Sequence, residues 1–134
     1  MKNCIFCKII KGEIPAEKLY ENNDFLVILD AFPVLKGQVL VLTKKHISPY
    51  VFDLDNGTYS RFMLLAKKFA KILDKSFNPI KTGMIVEGLE VPHTHIKLLP
   101  LMKKEGYGLK TIEPPPSKES LNKDAQKIKE NIIT

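Results

Sequence analysis

The stretch from Thr58 to Phe77 constrains the fold more than any other part of the chain. Phe62, Leu65, Ala66, Phe69, Leu73 and Phe77 recur there at three-and-four spacing, with Lys67, Lys68, Lys71 and Lys75 elsewhere around the cylinder. That period belongs to a helix with one buried stripe and one solvated face. Asp55 or Thr58 can cap its start, and Asn78-Pro79 ends it. This is the one long helix the sequence predicts, so the rest of the chain must supply the surface that its apolar stripe covers.

That surface is predicted to be strands. Glu17 to Glu21 and Phe25 to Leu29, separated by Asn22, Asn23 and Asp24, read as a β-hairpin with turn chemistry between its arms. After Asp30 comes a loop holding Pro33 and Gly37, then Gln38 to Thr43, a run of Val and Leu that suits a buried strand. Lys81 to Val86 and Thr94 to Leu99 read as two further strands joined through Gly88 and Pro92. At the front, Cys4 to Lys11 can form one or two helical turns ending at Gly12. At the back, Pro114-Pro115-Pro116 should be extended, and Ser117 can cap a last helix with a narrow stripe of Leu121, Ala125, Ile128 and Ile132. The expected organisation is one domain over residues 1–112, followed by a Pro-rich linker and an amphipathic helix over 113–134. That helix is expected to dock on the same domain or on a second subunit. A chain of 134 residues with 44% hydrophobic content is the size of one ordinary core.

Composition narrows the function classes. The net charge is +6, but Arg61 is the only arginine, and no basic run is interleaved with aromatics. Duplex readers rely on arginine forks, so nucleic-acid binding is not expected; a lysine-rich solvated surface that favours anionic small molecules is. No stretch approaches the roughly 20 apolar residues needed to span a bilayer, and MKNCIFCKII is too soon interrupted by charge for a secretory signal. A cytoplasmic location without membrane association is the expectation. The two cysteines, Cys4 and Cys7, stand as C-x-x-C with only three residues before them. Redox pairs of that spacing follow a strand and open a helix, so metal binding is preferred if two more ligands exist; inert thiols are the alternative.

Three histidines occur, His46, His93 and His95. Alternate residues of a strand share a face, so His93, His95 and Lys97 in VPHTHIKLLP should point the same way, with neighbours about 7 Å apart. A polar ridge of this kind on an otherwise apolar strand reads as a functional site.

Three segments in this order resemble the histidine triad (HIT) family over residues 4–100: CIFCKIIKGEIPAEKLYE, FLVILDAFPVLKGQVLVLTKKHIS and GLEVPHTHIKLLP. The resemblance implies a small α+β domain, with an antiparallel sheet of about five strands, one long helix and a short N-terminal helix. It also implies a homodimer, which an exposed sheet edge would favour, and nucleotidyl transfer through a covalent nucleotidyl-histidine. The family's middle histidine, the nucleophile, matches His95. In members that keep the C-x-x-C, the positions matching Cys4, Cys7, His46 and His93 hold a structural zinc ion, a complete Cys₂His₂ set. The resemblance further places Asp30 on the ribose hydroxyls and Ile5, Phe6, Ile9, Ile28 and Leu40 around the base. Asp30 could equally be a turn residue, and the apolar five plain core.

The chain departs from the family in two places. The third histidine of the triad is Lys97, and the usual Gly-Gln-Ser phosphate-binding run reads Gly88-Leu89-Glu90. Backbone N–H groups near Gly88 could still bind phosphate, whereas Glu90 would repel it if it faced the same way. Lys97 would offer an ammonium to a phosphate oxygen or leaving group, and its charge would lower the pKa of His95. The expected activity is that of a nucleotide hydrolase of the phosphoramidase or dinucleoside polyphosphate hydrolase type. A nucleotide-binding regulatory module with little turnover is the rival, and a zinc-stabilised interaction domain a third reading.

Overall fold

The computed structural model describes residues 3–108 and 112–132. Met1 and Lys2, at the start of the expected domain, and residues 109–111, beside its expected end, lie outside the described residues. The chain divides into two compact units, Met1–Lys104 and Glu105–Thr134. In the second, α3 spans Lys118–Glu130, and Ser117 Oγ accepts from Ser120 N–H at 3.0 Å, the cap its position predicts.

The first unit runs α1 (Ile5–Ile10), β1 (Lys18–Glu21), β2 (Phe25–Leu29), β3 (Val39–Thr43), a 3-10 turn at Val51–Asp53, α2 (Asn56–Phe77), β4 (Lys81–Ile85) and β5 (His95–Leu101). The five strands form one antiparallel sheet in the order β1-β2-β3-β5-β4. With the helices this is the α+β architecture the sequence leads one to expect.

Strand alternation divides the apolar residues between two faces. Phe25 and Val27 of β2, Val39 and Val41 of β3, and Ile96 and Leu98 of β5 meet Phe62, Leu65, Ala66, Phe69 and Leu73 of α2. Phe25 stacks on Phe62 with ring centroids 5.4 Å apart. On the opposite face, Leu26, Ile28, Leu40 and Leu42 meet Cys4, Phe6 and Ile9 of the N-terminal segment. Being covered on both sides explains why FLVIL and VLVLT are continuous apolar runs.

Asp55 caps α2, its Oδ1 accepting from Thr58 N–H at 2.9 Å, so the helix starts at Asn56, slightly before the apolar periodicity. It ends at Asn78, which turns left-handed at φ 48° ahead of Pro79. Among the described residues, no helix is long and apolar enough to cross a membrane.

A histidine cluster beside a carbonyl-held imidazole

The C-x-x-C spacing acts first through local structure. Cys4 is the N-cap of α1, and its Sγ accepts from the backbone N–H of Cys7 at 3.4 Å. A cap and the residue three on lie on one side of a helix start, which brings both sulfurs together. At the end of β3, Thr43 Oγ1 donates to the Lys45 carbonyl at 2.9 Å, shaping the turn that leads to His46. His93 lies just before β5.

Four ligand atoms from these three segments, on Cys4, Cys7, His46 and His93, lie within 4.8 Å of one another. Cys4 Sγ and Cys7 Sγ are each 3.5 Å from His93 Nδ1, Cys7 Sγ is 3.2 Å from His46 Nδ1, and the two Nδ1 atoms are 3.1 Å apart. A tetrahedral zinc with bonds of about 2.3 Å to sulfur and about 2.0 Å to nitrogen would set such donors about 3.3–3.8 Å apart. The donor chemistry also fits. His93 Nε2 donates to the Thr43 carbonyl at 2.7 Å, which leaves the Nδ1 lone pair facing the cysteines and His46. Burial, followed by the His46 and His95 charges, holds His93 below the usual histidine range despite the opposing effect of the Thr43 bond. Burial pushes the Cys7 thiol up, and the adjacent Cys4 adds to this.

The structure corrects one expectation. His93 and His95 both pack against Phe6, so they share a side of the sheet, but the ladder begins only at His95. The His93 N–H bonds the Val91 carbonyl at 2.7 Å across Pro92, closing a tight turn instead of joining the strand. The turn aims the His93 ring at the cysteines and its carbonyl at its neighbour.

That neighbour is His95, only 3% exposed, whose Nδ1 lies 2.6 Å from the His93 carbonyl oxygen. A carbonyl can only accept, so Nδ1 carries the proton and Nε2 the lone pair. The Phe6 ring sits edge-on at 4.8 Å. Burial lowers the His95 pKa, the bond to the His93 carbonyl opposes it, the Lys97 charge lowers it further, and Glu87 and Asp30 raise it, for a net downward shift. The downward shift favours the neutral imidazole.

Lys97 faces a partner that sequence reading missed. Its Nζ lies 3.1 Å from Glu87 Oε1, and Glu87 Oε2 accepts from Leu89 N–H at 3.1 Å. Burial pushes the Glu87 carboxyl up, but Lys97 and the Leu89 N–H outweigh it and leave the pKa lowered. The Leu89 N–H, one of those expected near Gly88 for phosphate, is thus already engaged. Leu89 itself is 83% exposed, and Glu90 lines a hollow of about 470 Å³ with Ile5, His46 and Pro49. Gly88 adopts φ +62°, and a Cβ there would come within 2.6 Å of the Pro49 carbonyl oxygen, so this turn requires glycine.

Asp30 follows β2. Its Oδ1 accepts from Phe32 N–H at 2.9 Å and its Oδ2 from Gln38 Nε2 at 2.8 Å. Gln38, 1% exposed, accepts from Val34 N–H through Oε1 at 3.0 Å. This amide is the second residue sequence reading missed; its one signal was a polar side chain opening an otherwise apolar strand. Of the five apolar residues named for the base, Phe6, Ile9, Ile28 and Leu40 share one buried cluster, while Ile5 is partly exposed at the hollow beside His46.

Residues 11–104 match the HIT domain family. An uncharacterized HIT-like protein of Borreliella burgdorferi is 34% identical, over 97% of this chain and 94% of its own. The adenosine 5′-monophosphoramidase of Schizosaccharomyces pombe is 34% identical over 80% of each chain. The crystal structure of a HIT family member from Bacillus subtilis superposes with a TM-score of 0.80 at 31% identity, covering 98% of this chain and 99% of that one.

Proposed function

The chain belongs to the HIT family, and from that premise we propose that it is a nucleotide hydrolase or nucleotidyl transferase working through a covalent nucleotidyl-His95. The observation that carries this reading is the His93 carbonyl on His95 Nδ1, which leaves the Nε2 lone pair available in a neutral ring. Relatives named adenosine 5′-monophosphoramidase support nucleotide chemistry at the level of the family.

His95 Nε2 attacks the α-phosphorus, the new N–P bond forms, and the bond to the leaving group breaks with its electron pair. The Lys97 ammonium gives the leaving atom a proton. Water then attacks phosphorus, the N–P pair returns to Nε2, and the water proton restores Lys97. Throughout, Nδ1–H stays on the His93 carbonyl. Asp30, held by Gln38 and the Phe32 N–H, accepts from the ribose hydroxyls. Phe6, Ile9, Ile28, Leu40 and Ile5 are assigned to the base, and Gly88 lets its loop sit against Pro49.

Cys4, Cys7, His46 and His93 would hold a zinc ion with no protein position left open, so its role is structural, tying α1 to the start of β5. A homodimer through β4 is supported by that strand's position at the sheet edge and by the exposure of Met84 and Ile85. A cytoplasmic location remains part of this reading.

Mass spectrometry of intact protein incubated with adenosine 5′-phosphoramidate tests the mechanism. A nucleotidyl adduct that maps to His95 and disappears in His95→Ala is expected, with turnover falling by several orders of magnitude while nucleotide binding persists. Near-normal hydrolysis by His95→Ala would overturn the assignment. The engagement of Lys97 by Glu87 favours one second reading, a nucleotide-binding module that turns over little. Tight binding with no adduct, in both the wild type and Lys97→His, would select it.

A further inference from the structure

The Lys97–Glu87 ion pair sits at a defined place relative to His95. The register of β4 on β5 sets Ile85 opposite Lys97, so the chain leaving β4 carries Glu87 back toward His95. Asp30 follows β2, which lies beyond β3 on the other side of β5. Across the sheet, a nucleoside held at Asp30 therefore lies on the β2 side of His95 and Glu87 on the β4 side, with Lys97 on β5 itself, two residues from His95. Both members are partly buried, with side chains 21% and 28% exposed, so solvent screens them incompletely. The Leu89 N–H fixes the Glu87 carboxylate in place.

With the α-phosphorus over Nε2 and the nucleoside on the Asp30 side, the remainder of a substrate points toward Lys97 and Glu87. An unpaired lysine there would attract a polyphosphate tail. Paired with Glu87, its charge is cancelled, and the tail meets a fixed carboxylate. An amine leaving group meets the opposite situation. Its nitrogen takes a proton from Lys97 before the P–N bond breaks, so it carries positive charge beside the carboxylate, and it then departs as a neutral amine with the electron pair of that bond.

We propose that Glu87, acting through and beside Lys97, is a specificity-determining residue that restricts the leaving group to amines. Nucleoside 5′-phosphoramidates are then the substrates, and dinucleoside polyphosphates are excluded. This rests on the nucleotidyl-transfer reading above.

The test compares kcat/KM for adenosine 5′-phosphoramidate and diadenosine tetraphosphate in the wild type, Glu87→Gln and Lys97→Met, alongside equilibrium affinities for AMP and ADP. For charges about 6 Å apart, removing the carboxylate should shift preference toward the polyphosphate by about threefold to a hundredfold, the range for effective dielectrics of about 80 to about 20. Glu87→Gln should raise ADP affinity relative to AMP in the same direction. Lys97→Met, which leaves Glu87 uncompensated, should lower ADP affinity relative to AMP, and this affinity ratio decides the matter if Glu87→Gln does not fold. Ratios that stay unchanged, or move oppositely, overturn the proposal. If the wild type forms no adduct and turns over neither substrate, the catalytic reading fails, and the ADP-to-AMP affinity ratio still decides the role of Glu87.

Discussion

If the Cys4, Cys7, His46 and His93 set holds zinc as proposed, removing the metal should undock α1 while leaving the rest of the sheet folded. Ordering the six residues of α1 costs about 6–12 kcal/mol of backbone entropy at about 1–2 each. Burying Phe6 and Ile9 against Leu26, Ile28, Leu40 and Leu42 returns about 3–6 kcal/mol. The helical hydrogen bonds add about 1 kcal/mol apiece, which leaves the helix near balance on its own. A metal bound by both cysteines of this segment would supply the surplus, because structural zinc contributes directly to folding. Protein purified without chelator should carry about one zinc per chain. Amide hydrogen exchange before and after chelation should then show lost protection at Phe6 to Gly12 and little change in α2, whose stripe faces the other side of the sheet. Protection of α1 that is equal with and without metal, once removal is verified, would refute this reasoning, as would protein that never held metal and whose thiols are freely reactive.

Three further outcomes follow from other contacts. Gln38→Ala should loosen Asp30 and leave Val34 N–H unpaired, raising KM for a nucleotide substrate about tenfold with a smaller effect on kcat; steady-state kinetics check this. Phe62→Ala removes a fully buried ring stacked on Phe25 and should cost about 3–5 kcal/mol in denaturant titration. Glu21 has its pKa lowered, chiefly by the hydrogen bond from Lys44. A carboxyl lower in the folded than in the unfolded chain stabilises above its unfolded pKa and loses that contribution as pH falls through the folded value. Glu21→Gln should therefore be less stable than wild type at neutral pH and equal to it in acid, with thermal melts across the range as the measurement.

Much of the frame is legible because single-element physics governs it. The three-and-four period of α2 and the two-faced apolar runs of β2 and β3 each report burial directly, and Asp55, Asn78 and Ser117 mark helix ends through their own side-chain and backbone preferences. Spacing singles out the Cys4/Cys7 pair and the His93, His95 and Lys97 run, while Asp30, the role of His95 and the full candidate metal set come from family likeness. What escapes is set by juxtaposition. Glu87 matters only because antiparallel register returns the chain to Lys97. Gln38 matters only because a loop folds back to present Asp30 and Val34 to one amide. His93 reads as a strand residue by alternation, but Pro92 and the bond to Val91 take it out of the ladder, which a two-residue period cannot register.

His93 divides its duties between two parts of one residue. The ring faces the sulfurs and His46, while the carbonyl fixes the proton on His95. These duties answer to different kinds of change. A substitution at position 93 deletes a candidate metal ligand but keeps the carbonyl, so the tautomer of His95 survives a change of side chain at the residue that enforces it. Displacing the peptide unit is another matter. An insertion near Pro92, or a distortion reaching it through Val91, would move ring and carbonyl together and disturb the proposed metal site and His95 at once. The segment from Val91 to His95 should thus tolerate exchange of side chains far better than any change in its length.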